Sequence, residues 1–145
     1  MSLSVRVAEP SNAPRIHAAY QRWNYSHHLA PDDVFWLAED TRELIGVVRI
    51  AYENGVHVLR GMRVAPHWQQ RGVGTRILRS LALWLGKREC YCIPYRHLIQ
   101  FYERAGFREV VPETGPTFLK DRLKDYRGRG LDVILMVRSG DVART

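Results

Sequence analysis

The stretch from Arg63 to Leu78, RVAPHWQQRGVGTRIL, changes its periodicity halfway along, and that change restricts what the chain can build. Up to Pro66 the residues read as a strand. Beyond Gly74, Ile77, Leu78, Leu81, Ala82 and Leu85 recur at helical spacing, and Gly86 stops the run. A strand must therefore enter a helix through a glycine-containing turn. The first turn of a helix leaves backbone N–H groups unpaired and carries partial positive charge, so the junction suits an anion. Gly72 and Gly74 remove side chains where a phosphate must approach, and Arg71 and Arg76 add charge beside the cradle. Hydrogen bonds to charged groups contribute roughly 1.5–3 kcal/mol each, so three or four hold a pyrophosphate despite its hydration. A glycine pair is also ordinary punctuation between strand and helix. This one has neither the Gly-Lys-Ser/Thr ending of a Walker loop nor the spacing of a dinucleotide fingerprint.

The rest of the chain reads as an α/β domain. Val5 and Val7 mark a short first strand, and Ser11 and Asn12 offer caps for a helix running to about Leu29. VFWLAED and ELIGVVRIAY form a hairpin through Asp40-Thr41-Arg42. Asn54-Gly55 then turns the chain into VHVLRGMRVAP. After the glycine loop and its helix come a short apolar strand CYCI, a helical HLIQFYERAG, and a strand from Phe107 to Val111. A charged helical stretch PTFLKDRLKDYRGRG and a last strand LDVILMVR follow. A meander feeding βαβ units implies a mixed sheet with helices on both faces. Residues 1–138 are expected to be one domain, and 139–145 a loose tail.

With 22 Lys+Arg against 15 Asp+Glu, the formal charge of +7 favours an anionic partner without choosing among nucleic acid, acidic membrane and phosphorylated small molecule. Arginine supplies most of it and suits bidentate phosphate contacts. The basic KDRLKDYRGRG reads as a solvated helix rather than a nucleic-acid reader. No apolar run approaches the roughly 20 residues of a membrane span, and MSLSVRVAEP lacks a secretory signal, so a cytoplasmic location is expected. Cys90 and Cys92, two apart on one strand face, cannot easily bridge each other and make a poor zinc site; they read as packed thiols. No metal is expected.

Gln69-x-x-Gly72-x-Gly74 resembles the [Q/R]-x-x-G-x-[G/A] signature of the GNAT acetyltransferases, and HLIQFYERAGF resembles that family's later motif. The two blocks cover about residues 56–111, and the element order extends the likeness to most of the chain. The resemblance implies a mixed, mostly antiparallel sheet splayed between strands 4 and 5. The cosubstrate acetyl-CoA would lie in the V-shaped cleft and pass its acetyl group to a primary amine by direct attack in a ternary complex. Backbone groups of Met62 and Val64 would pair with the pantetheine arm. Gln69, Gln70, Arg71, Gly72, Val73, Gly74 and Thr75 would bind the pyrophosphate, and Tyr102 would be the general acid for the leaving thiolate. Sheet-edge dimers also occur in proteins of this type, so a homodimer is compatible.

Two positions depart from the family pattern. Where many members have a glutamate base on the strand before the loop, this chain has Val58; His57, Glu53 and His97 are the nearby candidates. Where members often have an asparagine that bonds the pantetheine, this chain has Tyr95. These departures leave room for a second reading, a CoA-sensing module without catalysis. The acceptor pocket is expected to draw on Trp23, Tyr25, His27, His28, Phe35, Trp36, Phe118 and Tyr126, with Phe35 and Trp36 favoured as core.

Overall fold

The computed structural model describes residues 2–139. In chain order it contains β1 (Leu3–Val7), α1 (Ala13–Arg22), β2 (Val34–Asp40), β3 (Glu43–Glu53), β4 (Val56–Val64), α2 (Val73–Leu85), β5 (Cys90–Cys92), α3 (Ile99–Glu103), β6 (Phe107–Glu109), α4 (Thr117–Gly128) and β7 (Met136–Arg138). This is the expected sequence of elements. The seven strands form one sheet in the order β1-β2-β3-β4-β5-β7-β6. Neighbours are antiparallel except β4 and β5, which run parallel over only three residue pairs, His57 with Cys90, Val58 with Tyr91 and Leu59 with Cys92. The tail expected at 139–145 falls, from residue 140 on, outside the described residues.

Both early turns are tight. Asn54 and Gly55 take φ of 48° and 84°, as a two-residue hairpin turn requires. Thr41 and Arg42 also have positive φ, 47° and 72°, although neither residue type advertises it. The three-residue β5 and five-residue α3 are shorter than their sequence patterns suggest, and a 3-10 turn over Arg96–Leu98 leads into α3.

Side-chain alternation in the strands splits the core between the two sheet faces. On one face α2 lays Ile77, Leu78, Leu81 and Leu85 against Trp36, Ile45, Val48, Leu59 and Cys90. On the other, α1 covers Leu37, Leu44 and Val47, while α4 covers Val58, Tyr91, Leu135 and Val137. Gly46 permits the first contact, because a Cβ there would stand 2.9 Å from Ile77.

The first helix ends seven residues before the expected Leu29, and it ends in a Schellman motif. Asn24 takes the left-handed conformation, with φ of 57°. Asn24 N donates to Gln21 O at 3.3 Å and Tyr25 N to Tyr20 O at 2.9 Å. The apolar contact that accompanies such a cap is the pair Tyr20 and Tyr25, with ring centroids 4.4 Å apart. The cap turns the segment 25–33 back over the sheet, which puts Tyr25 and His27 at the functional site.

Candidate active site

Beyond Leu59 and Cys92, β4 and β5 have no mutual pairing, and a cleft of about 660 Å³ opens between them. A bulge in β4 drives the separation. Val47 pairs Arg63 and Arg49 pairs Arg60, so Val48 faces two residues, Gly61 and Met62. Gly61 has φ of 65°, and a Cβ there would lie 2.8 Å from Tyr20 Oη. The Tyr20 hydroxyl, held protonated by its burial, donates to Gly61 O at 2.9 Å. The end of α1 thus fixes the place where the strands part.

One end of the cleft is made by the glycine loop. Gln69, Gln70, Gly72, Val73, Gly74 and Thr75 line it. Arg71 is exposed and turns onto the Trp68 ring, 5.4 Å from its centroid, rather than facing the cleft. Gln69 serves the loop from behind: its Nε2 donates to Val64 O at 3.1 Å. Met62 O accepts from Arg63 Nη1 at 2.9 Å, so among the backbone groups of Met62 and Val64 expected to pair with a pantetheine, the two carbonyls already hold side-chain donors. Gly72 has φ of 83°, and a Cβ placed on it would have no neighbour within 4 Å, which is the open cradle an anion needs. Gly74 is different: a Cβ there would meet the Phe101 ring at 2.9 Å, so this glycine also lets α2 pack on α3. Val73 is buried, which anchors the first turn of α2 while the N–H groups of that turn, unpaired by helix geometry, point along the axis toward the cleft. The loop fits a pyrophosphate through Gly72 and the backbone that follows it.

Tyr102, 5% exposed, lines the cleft and packs between Phe101 and Phe107, whose centroids lie 5.0 and 5.9 Å away. Burial, and to a lesser degree Cys92, raise its pKa above the ordinary tyrosine value, against an opposing pull from Arg63. It is a neutral hydroxyl. Cys92 also lines the cleft, yet burial pushes it well above a normal thiol, and Cys90 up to about 12, so neither is a thiolate nucleophile at neutral pH.

The candidate bases fare differently. Val58 is buried against α4. His57 packs between Tyr52 and Trp84, at 5.0 and 6.0 Å, and His97 stacks on Tyr95; neither lines the cleft. Burial raises the Glu53 pKa, but Arg122, followed by Arg60 and Arg49, outweighs it and holds the carboxyl below its ordinary range. Its oxygens accept from Arg122 Nη2 at 2.6 Å and Arg60 Nη1 at 3.5 Å, so it is acidic and occupied. His27 does line the cleft, and burial together with Arg60, Arg49, Arg63 and Arg122 lowers its pKa below 6.5.

Of the aromatic residues expected around the acceptor, Tyr25, His27 and Tyr126 line the cleft. Trp36 is core, edge-on to Trp84 at 5.2 Å, and Phe35 packs against the α1 cluster, as favoured from the sequence. Trp23, His28 and Phe118 do not line it. Tyr95 does, at the asparagine position. The residues missed by sequence reasoning are arginines. Arg60, Arg63, Arg122 and Arg129 line the cleft, the first three gathered around His27, Glu53 and Tyr25. Behind them lies Arg49, 1% exposed, paired with Asp33 at 2.6 Å and with the Tyr25 hydroxyl at 2.8 Å. A single arginine within an apolar strand, IGVVRIAY, is the signal that could have found it.

A family model described as an acetyltransferase (GNAT) domain matches residues 31–109. The chain belongs to that family, the GNAT acetyltransferase domains. Solved structures share the fold at low identity. The chain covers 96% of itself on N-acetylglutamate synthase from Neisseria gonorrhoeae, solved with coenzyme A and N-acetyl-glutamate, at 22% identity and a TM-score of 0.66. It spans only 35% of that protein, about one third of its length. Against the ribosomal-protein-S18-alanine N-acetyltransferase from Escherichia coli it covers 94% of itself and 93% of the other chain, at 18% identity and a TM-score of 0.68. Against Rv2747 from Mycobacterium tuberculosis, solved with CoA, the figures are 94%, 98%, 17% and 0.67. No curated protein matches the sequence. Among the described residues, no helix is long and apolar enough to cross a membrane.

Proposed function

We propose that residues 1–138 act as one N-acetyltransferase domain, passing the acetyl group of acetyl-CoA to a primary amine by direct attack within a ternary complex. The observation that carries this reading is Tyr102, a neutral hydroxyl lining the same cleft as the glycine-loop anion cradle. A cytoplasmic setting suits the cosubstrate.

In this reading the amine lone pair forms the C–N bond and the C–S bond breaks with its electrons moving to sulfur. The amine loses a proton and the thiolate gains one. Tyr102 holds its proton more tightly than a thiol of pKa near ~8.5 does, so its part is to donate a hydrogen bond to the sulfur as charge develops. Gln69 holds the loop against β4, and the backbone from Gly72 onward takes the pyrophosphate. His27, its pKa lowered by burial and by the neighbouring arginines, would accept the proton of an incoming ammonium at Nδ1 once that nitrogen releases Arg60 Nη2, which donates to it at 3.3 Å. Tyr95 takes over a cleft-lining position from the family's asparagine.

The second reading, a non-catalytic CoA sensor, draws on Val58, because β4 offers no glutamate there. Acetyl-CoA titration followed by an amine screen separates the two. Micromolar binding with turnover supports the enzyme, and binding without turnover of any amine supports the sensor.

A further inference from the structure

Four arginines line the cleft, and among the described residues no carboxylate does. Arg60 and Arg63 come from β4, and Arg122 and Arg129 from α4 and its C-terminal end. Arg60 follows Val58 by two residues, so it shares the sheet face that α4 covers, opposite to the face on which α2 and the glycine loop pack. These arginines are therefore distinct from the charges beside the pyrophosphate cradle.

Their partners leave positive charge over. Glu53 bridges Arg122 and Arg60, one carboxylate between two guanidiniums whose side chains are 21% and 18% exposed. Arg129 pairs with Asp125 at 2.9 Å on the surface of α4. Arg63 has no carboxylate within ion-pairing distance among the described residues. It lies over the Tyr25 ring at 5.0 Å and gives Nη1 to the Met62 carbonyl. Burial, followed by Arg60, Arg49, Arg63 and Arg122, depresses the pKa of His27 beside them. A polyamine or other polycation would be repelled from such a mouth. A carboxylate would find a planar fork of donors on a half-buried side chain. An ammonium drawn in with that carboxylate would lie among like charges, which favours its deprotonation to the nucleophilic amine.

We propose that the acceptor is a small amine carrying its own carboxylate, an amino acid in the broad sense, with Arg63 binding that carboxylate and Arg129 guiding it at the rim. The inference rests on the acetyl-transfer reading above and names its acceptor class.

The test is acetyl transfer by the full chain from acetyl-CoA to free amino acids, their carboxamides, spermidine and a lysine peptide with blocked termini. Free acids are expected to exceed their own carboxamides in kcat/KM by roughly ten- to a hundredfold, as one charge-assisted contact implies. Arg63→Gln should bring that acid-to-amide ratio close to one, and Arg129→Gln should lower it less. Loss of packing or of oxyanion stabilisation would slow acid and amide alike, leaving the ratio where it was. Preference for carboxamide, spermidine or blocked peptide, or a ratio unmoved by both substitutions, overturns the proposal while leaving acetyl transfer standing. Binding of acetyl-CoA with no amine of any kind acetylated overturns both together.

Discussion

The two ends of the cleft are built from different materials. At the cosubstrate end the chemistry is main chain: the left-handed Gly72, the first turn of α2 and the unpaired edge of β4. At the acceptor end it is side chain: Tyr25, His27, four arginines and the buried Arg49–Asp33 pair, brought in from α1's cap, β3, β4 and α4. A main-chain site needs glycines at fixed spacing next to a helix start, and such a pattern is local in sequence. A side-chain site needs only that distant elements meet, so residues such as Arg63 and Arg122 carry no local mark of belonging together.

This contrast can be broken at several points. The largest effect is expected at Arg49→Met, which leaves Asp33 buried without its cation; the Asp33 side chain is 0% exposed, and its Oδ1 already lacks a partner. Breaking one side of such a pair costs about 3–5 kcal/mol, to be read from urea unfolding, and acetyl-CoA affinity of the remaining folded protein should hardly change. If affinity fell in parallel, the two ends would be one unit. Tyr102→Phe, at the seam between them, should lower kcat by about a hundredfold with Kd for acetyl-CoA unchanged, measured by stopped-flow and titration. Unaltered kcat would remove the tyrosine from the chemistry.

Gly72→Glu tests the main-chain end alone. Its Cβ would meet open space, so the cost is confined to left-handed strain and to a carboxylate at the anion cradle. Acetyl-CoA should bind at least about tenfold more weakly while the fold persists by circular dichroism. Gly74→Glu is the less informative probe because it also displaces Phe101. The smallest effect concerns His27. A depressed pKa means that the neutral form is lost only as pH falls, so kcat/KM should decline on an acid limb below pH 6.5. His27→Gln should flatten that limb, and a limb that survives the substitution would assign it to another group, such as the acceptor amine.

The same division explains what can be read from the sequence. Periods of two and 3.6, the Asn54-Gly55 turn and the glycine loop give the order of elements and the mixed sheet; the cleft follows only from the family resemblance. The end of α1 is harder to place, because an asparagine such as Asn24 marks a left-handed cap only weakly, although the Tyr20–Tyr25 contact that supports it lies within five residues. The second demand on Gly74, room for the Phe101 ring, cannot be read locally because that ring comes from a helix much further along the chain. The arginine mouth is out of reach on the same ground: β4 and α4 are neighbours only after β7 has been placed between β5 and β6.

The brevity of the β4–β5 contact has a thermodynamic consequence. Three residue pairs are all the strand pairing between the four-stranded and three-stranded parts of the sheet. On the proposed reading a cosubstrate between them would complete that seam, so its binding energy would also be energy against melting. At a hundred times its dissociation constant a ligand adds about 2.7 kcal/mol by mass action. For a chain of this size that is a rise of roughly 5–11 °C in Tm. Hydrogen exchange should slow first in β5, a strand of only three residues set at the seam itself.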